Sequence, residues 1–322
     1  MKMNMTMIMF TTITFTSVIM VMSSNNILFS WISMEINFIS FMPIINKSKK
    51  INDQTMKYLI IQSMSSSVML MTMMLNSTTD TKLSNSMLLM VSMMMKMGLM
   101  PFHLWAPSLM QVISWRNCML ISTLQKISPT IMMSQLLSTE LMMPMMCLNL
   151  IMSPITGMKQ SSFKKMMAYS SISNSPWMIM ATKTSKFQSI TFFIIYSTLM
   201  TMMTNLLKEV NVTFLNQMNN MKPEQKLTLL MMMLSISGMP PLLGFMPKWM
   251  ILQSTVQSSM QISISMILSS VSSTFMYLKM IYPTMMFLFN SKKTTLKNLN
   301  STLTSLTINM TSIPLILMSK MN

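Results

Sequence analysis

Charged residues, glycine, alanine and arginine are all scarce in this chain of 322 residues. Only 9% of the residues are charged, whereas a soluble domain usually carries about 25%. Hydrophobic residues make up 51% of the chain, and its mean hydropathy is +0.49. These values exclude an ordinary water-soluble domain and predict an all-α polytopic membrane protein, since helices satisfy their own backbone groups within a bilayer.

Histidine and cysteine are too few for the usual haem and iron–sulfur ligand sets. The chain has one histidine, His103, and two cysteines, Cys118 and Cys147, which show no partner spacing. A bis-histidine haem or a four-cysteine iron–sulfur cluster therefore cannot be built from this chain alone. We expect no metal and no cofactor in this chain, and we interpret both cysteines as packing residues.

Methionine occupies much of the space that small residues would fill. The chain has 56 methionines, three alanines, four glycines and one arginine. This bias fits an A/T-rich gene in which AUA is read as methionine, as in animal mitochondria. We therefore hypothesise a mitochondrial gene.

Eleven apolar runs predict about eleven transmembrane helices in a single transmembrane domain, 1–322. No cleavable leader is recognisable before the first run. The predicted spans are 3–22, 27–45, 56–75, 84–110, 116–136, 141–156, 165–181, 187–207, 226–254, 258–282 and 302–318.

The net charge of +17 comes from lysines between these runs, a pattern that favours membrane topology over nucleic-acid binding. With eleven spans, fifteen basic residues fall on one side, which holds the N-terminus, and four on the other: Lys82, Lys183, Lys186 and Lys320. This asymmetry predicts that the N-terminus faces a matrix-like side, where anionic lipids are expected partners.

Two groups of five spans, 3–136 and 141–282, form a candidate inverted repeat, and 302–318 is an extra C-terminal helix. The fourth span of each group is the longest and holds the helix breakers, namely Gly98, Pro101 and Pro107 in one group and Gly238, Pro240, Pro241, Gly244 and Pro247 in the other. Broken helices at matching positions of two halves are typical of transporters. The sequence thus predicts two discontinuous helices.

Four ionisable residues lie inside the predicted spans; three of them are deep, and Lys248 is six residues from the end of its span, within reach of an interface. Lys96 is about twelve residues, or roughly 18 Å, from either end of its span, too deep to reach the interface easily. Glu35 is the single carboxylate deep in a span, and Lys126 and Lys248 accompany prolines. Since buried charges are costly, such residues usually mark an ion path. The alternatives are structural: a neutral acid in a helix–helix hydrogen bond, and lysines that bind carbonyls freed by the prolines.

His103 follows Lys96 in the motif KMGLMPFHLW. It is a candidate proton relay near neutral pH. The alternative, which we favour slightly, is a histidine that binds a free carbonyl of the broken helix.

Four sequence blocks resemble the antiporter-like membrane subunits of respiratory complex I, NADH–ubiquinone oxidoreductase. They are WISMEINFISFMP, KMGLMPFHLWAPSLMQVISWRNCMLISTLQKISP, GMKQSSFKKMMAYSSISNSPWM and SISGMPPLLGFMPKWMILQ, spread from residue 31 to residue 253. The resemblance implies two inverted five-helix repeats and proton translocation. It further implies that Glu35 and Lys96 form the charged pair of a first half-channel, that Lys126 is a central relay, and that Lys248 serves a second half-channel.

The resemblance also implies partners and a location. The expected neighbours are chains 4L and 4 of the complex and accessory subunits, in the mitochondrial inner membrane. NAD, FMN, iron–sulfur clusters and ubiquinone are expected on other subunits. Two alternatives remain open: a sodium/proton antiporter subunit, and a structural spacer without its own proton path.

Overall fold

A computed structural model describes residues 5–45, 52–78, 82–136 and 142–290, and this part of the chain is almost wholly helical. Its contacts divide it into two units, which meet in sequence between Met146 and Cys147. Seven helices belong wholly to the first unit: α1 Met5–Ser23, α2 Ile27–Ile45, α3 Asn52–Thr78, α4 Lys82–Met97, α5 Trp105–Val112, α6 Trp115–Ser122 and α7 Leu124–Leu136.

Helix α8, Met142–Met158, begins in the first unit and ends in the second. The second unit continues with α9 Phe163–Thr184, α10 Lys186–Val210, a 3₁₀ helix Leu215–Asn220, α11 Pro223–Ser237, α12 Phe245–Ser258 and α13 Met260–Asn290. The first ten predicted spans all contain helix. The eleventh, 302–318, lies outside the described residues.

Among the described residues, five helical segments are long and apolar enough to cross a membrane: Met5–Ser23, Ile27–Ile45, Asp53–Asn76, Lys186–Val210 and Met260–Tyr282. Two shorter apolar segments are Ser86–Met97 and Met142–Met158. The remaining helices are interrupted or too polar to qualify. The total of eleven spans stays a prediction.

The two longest predicted spans are each interrupted, and the two interruptions share one local plan. Helix α4 ends just before Gly98, and α11 ends just before Gly238. The φ angles of these two glycines are 65° and 86°, respectively. Glycine adopts this left-handed conformation without the steric cost that other residues meet. A cis proline follows three residues later, at Pro101 and at Pro241. A new helix, α5 or α12, then begins.

One predicted span is divided where we expected a continuous helix. The span 116–136 forms α6 and α7, which are separated at Thr123 (φ −113°, ψ −78°). The Thr123 hydroxyl donates to the Met119 carbonyl over 2.7 Å. Such back-bonding of a threonine side chain bends helices, and the residue type alone does not reveal where it will occur.

Helix α9 shows how a polar sequence is buried in this fold. Every residue from Met166 to Ala181 is buried, including four serines and an asparagine. The Ser170, Ser171 and Ser173 hydroxyls donate to backbone carbonyls three residues earlier, over 2.8–2.9 Å. Because these hydroxyls are satisfied within the helix, their burial is tolerated. Helix α9 packs against α10, α12 and α13 of the second unit.

Candidate functional site

The first helix break exposes carbonyls that side chains of neighbouring elements satisfy. The Trp105 indole donates to the Met95 carbonyl over 3.2 Å, and the Gln62 amide donates to the Lys96 carbonyl over 3.1 Å. The Trp105 ring also covers Gly98, where an added Cβ would lie 3.1 Å from the indole. Helix ends inside a membrane need such partners, since no lipid group can replace them.

Lys96 and Glu35 meet beside this break. Lys96 lies in the last turn of α4, Glu35 lies midway along α2, and the Lys96 Nζ to Glu35 Oε1 distance is 3.4 Å. The side chains are 6% and 22% exposed, respectively. Burial favours the neutral amine, whereas the carboxylate favours the ammonium form. The structure thus brings together two of the predicted site residues, which lie on separate helices and are 61 positions apart in the sequence.

Aromatic rings line the space next to this pair. The Tyr58 ring centroid lies 5.8 Å from that of Phe38, 6.2 Å from that of Phe41 and 5.5 Å from that of Trp105. Tyr58 is 3% exposed and lies close enough to Glu35 for an electrostatic interaction. Apolar rings beside an ion pair lower the local dielectric constant, which strengthens electrostatic interactions within the site.

Lys126 occupies the first turn of α7, directly after the interruption at Thr123, and is 5% exposed. Its neighbour Gln125 donates a hydrogen bond of 2.8 Å to Asn37 Oδ1. Asn37 is two residues from Glu35 on α2. A buried amide pair therefore links the Lys126 segment with the helix that carries the carboxylate.

Lys248 lies in the second unit, just after the second helix break, in the first turn of α12, and is 7% exposed. Its Nζ donates to the carbonyls of Ile236 and Ser237 over 3.1 and 2.8 Å. The Nζ is also 5.6 Å from the centroid of the Trp177 ring, within the range of a cation–π contact. Lys248 thus binds the free carbonyl end of α11, the favourable end for a cation.

The sequence matches a family of membrane subunits. Residues 24–276 match the family described as NADH:quinone oxidoreductase/Mrp antiporter, transmembrane. A NADH-ubiquinone oxidoreductase chain 2 from Locusta migratoria is 34% identical over 309 residues, which cover 92% of this chain and 88% of the relative. The chain belongs to the NADH-ubiquinone oxidoreductase chain 2 family.

Other chain 2 proteins agree with this assignment. The relative from Anopheles gambiae is 31% identical over 86% of this chain and 85% of its own length, and that from Lumbricus terrestris is 34% identical over 84% of each. A chain of respiratory complex I from Thermus thermophilus has the same fold, with a TM-score of 0.80, 17% identity, and coverage of 95% of this chain and 76% of that chain. The prediction of an all-α, antiporter-like membrane protein is confirmed.

Within this chain 2 fold, His103 contacts the backbone of the first helix break. It sits in the first break, partly exposed, with Nδ1 3.2 Å from the Pro101 carbonyl oxygen. A tautomer with hydrogen on Nδ1 donates to that carbonyl, which is the contact we favoured from the sequence. Its role as a relay stays a prediction.

Sequence reasoning missed several polar residues of this chain 2 protein. Tyr58, Gln62 and the Asn37–Gln125 pair carried no signal, because tyrosine and amides are common at helix surfaces and only packing buries them. Lys226, the first residue of the predicted span 226–254, is counted among the basic residues between spans, but it lies in the first turn of α11 and is 6% exposed. A lysine at a span boundary gave no means of predicting that burial.

Proposed function

We propose that this chain is a proton-translocating membrane-arm subunit of NADH-ubiquinone oxidoreductase, with Glu35 and Lys96 as the first half-channel pair. Lys126 would act as the central relay and Lys248 as the residue of the second half-channel. The observation that carries the proposal is the ion pair between Glu35 and Lys96, buried beside a broken helix in a chain of the chain 2 family.

The ion pair supplies a physical means of moving a proton. Two unit charges 4 Å apart interact by about 4 kcal/mol at an effective dielectric constant of 20. Separating Lys96 from Glu35 removes this stabilisation, while burial continues to oppose the charged amine. A movement of α2 relative to α4 would therefore release the Lys96 proton, and a return to 3.4 Å would favour its uptake.

Helix neighbours support the proposed inverted repeats, 3–136 and 141–282. Within the first unit, α3 contacts α2, α4 and α5, and α4 contacts α7. Within the second unit, α10 contacts α9, α11 and α12, and α11 contacts α13. In each unit an intact helix, α3 or α10, contacts both halves of the broken helix, α4 and α5 or α11 and α12. This is expected if the two groups of spans have the same arrangement.

The proposed setting is the mitochondrial inner membrane, with the N-terminus towards the matrix. The methionine bias and the animal relatives support this location. Chains 4L and 4 are the proposed neighbours. NADH oxidation and quinone reduction, with their NAD, FMN, iron–sulfur and ubiquinone groups, would take place on other subunits.

The test uses the whole complex that co-purifies with the chain, reconstituted in sealed vesicles. NADH and a soluble quinone start turnover, and internal pH is followed in wild type and in Lys96→Met. We expect proton uptake that depends on turnover in the wild type and falls in the variant. Sodium transport that follows turnover would favour the antiporter alternative, and undiminished pumping by the variant would favour a structural spacer.

A further inference from the structure

A small cavity lies next to Lys248 in the second unit. Its volume is about 20 Å³, and Asn174, Tyr196, Ser235 and Lys248 are among its lining residues. A cavity that holds one water molecule needs roughly 10–15 Å³ by this measure, and the water needs two to four polar partners. The space therefore fits a single water and nothing larger.

Lys248 has one hydrogen-bonding position left for a ligand in this cavity. A lysine ammonium carries three N–H donors, and two of them are directed at the carbonyls of Ile236 and Ser237. When Lys248 is neutral, two N–H groups can remain on these carbonyls, but the nitrogen lone pair then needs a donor. Carbonyl oxygens only accept, whereas water both donates and accepts, so water suits both charge states of the lysine.

Tyr196 supplies a second polar group for the same ligand. Its residue is 5% exposed, and its hydroxyl is fully buried with no hydrogen-bond partner within the described part of the chain. A buried hydroxyl without a partner costs about 1–3 kcal/mol. Asn174, a residue of α9 that is 5% exposed, offers an amide at the same cavity.

We propose that one ordered water binds in this cavity between Lys248, Tyr196 and Asn174, and that Tyr196 is the residue that positions it. This inference rests on the proposed role of Lys248 in proton translocation. The water accepts an N–H from the charged lysine and donates to the lone pair of the neutral lysine. The Tyr196 hydroxyl holds the water in both states, so Lys248 changes charge without losing a hydrogen-bond partner.

The chain offers a matched control for the Tyr196 hydroxyl. Tyr277 is also buried, at 2% exposed, and its hydroxyl lies near the Ser170 hydroxyl and within electrostatic range of Tyr196. Tyr277 does not line the cavity. Tyr277→Phe therefore removes the same group from a similarly buried ring near Tyr196 but outside the cavity lining, so it separates the loss of a nearby hydroxyl from the loss of the hydroxyl that faces the water.

The first measurement is electron cryo-microscopy of the assembled complex at a resolution that shows ordered water. We expect density for one water within hydrogen-bonding distance of Lys248 Nζ and Tyr196 Oη in the wild type and in Tyr277→Phe. We expect this density to be lost in Tyr196→Phe. A wild-type cavity without water density, or density that persists in Tyr196→Phe, would overturn the proposal.

The second measurement is proton pumping by the same variants from pH 6 to pH 9. In Tyr196→Phe the water is lost, and with it the hydrogen-bond partner that serves both charge states of Lys248, so the dependence of the pumping rate on pH should change. Tyr277→Phe should keep the wild-type dependence on pH. An unchanged profile in Tyr196→Phe would refute the positioning role. Lys248→Met tests the underlying function separately: full pumping by this variant would reject a proton path through Lys248 even if the water is seen.

Discussion

Lys96 on α4 and Glu35 on α2 form an ion pair that is held at 3.4 Å beside the broken end of α4. Strong charge-assisted hydrogen bonds are shorter, about 2.7–2.9 Å. The pair is thus close enough for a large electrostatic interaction, yet it is not a tightly locked hydrogen bond. This relationship is the basis of the first two predictions.

Lys96→Met should give an assembled complex with impaired pumping. Methionine keeps the apolar bulk of the lysine stem and removes the titratable amine. Positioned acid–base groups contribute about 10²–10⁴-fold to proton transfer, so we expect pumping to fall at least about tenfold. Lys183→Met, at an exposed lysine at the end of α9, is the control and should pump normally. Normal pumping in assembled Lys96→Met would contradict the relay.

Glu35→Gln should impair the same step without removing the lysine. The amide has no charge, so burial then acts on Lys96 without an opposing carboxylate and favours the neutral amine, which makes uptake of a proton by Lys96 less favourable. Residues that act through one interaction give non-additive losses. The double variant Glu35→Gln, Lys96→Met should therefore pump little worse than Lys96→Met alone, as measured by initial rates of proton uptake. Fully additive losses would show that the two residues serve separate roles.

Gly244→Ala should disrupt the second helix break. An added Cβ would lie 1.7 Å from the Ser235 carbonyl oxygen, so the backbone must move. Overpacking of this kind usually costs about 1–3 kcal/mol, and we expect less assembled complex and a lower thermal midpoint.

Gly157→Ala is the control for this glycine. There the nearest atom is the Met276 sulfur at 2.5 Å, at the flexible part of a side chain. A methionine can rotate away, so Gly157→Ala should lower the midpoint less than Gly244→Ala. Equal midpoints would argue against the close approach at Gly244.

The proposed orientation predicts which lysines can be labelled from each side. Helix α9 separates Lys159, close to its start, from Lys183, near its end, and both are exposed. In Lys183→Cys, an impermeant thiol reagent applied from the intermembrane side should react. The reagent should not react in Lys159→Cys. An impermeant amine reagent applied from the same side should label Lys82 but not Lys50. The native protein gives the background from Cys118 and Cys147. The opposite pattern would reverse the orientation.

The membrane class, the helical content, the two main breaks and four of the ionisable residues inside the helices, Glu35, Lys96, Lys126 and Lys248, could be predicted from the sequence. Long apolar runs leave the backbone no partner except its own helix. A lysine in such a run is a rare and costly residue, and a glycine followed by proline interrupts a helix locally, so both signals are readable without a fold.

The tertiary structure alone decided which of these residues meet. The contact between Glu35 and Lys96, the Asn37–Gln125 hydrogen bond, the Tyr58 cluster and the cavity beside Lys248 and Tyr196 all join separate helices. Such contacts depend on the rotation and depth at which helices pack. Local propensity does not fix these quantities, because every face of these helices is compatible with either lipid or protein until the packing places a polar partner against it.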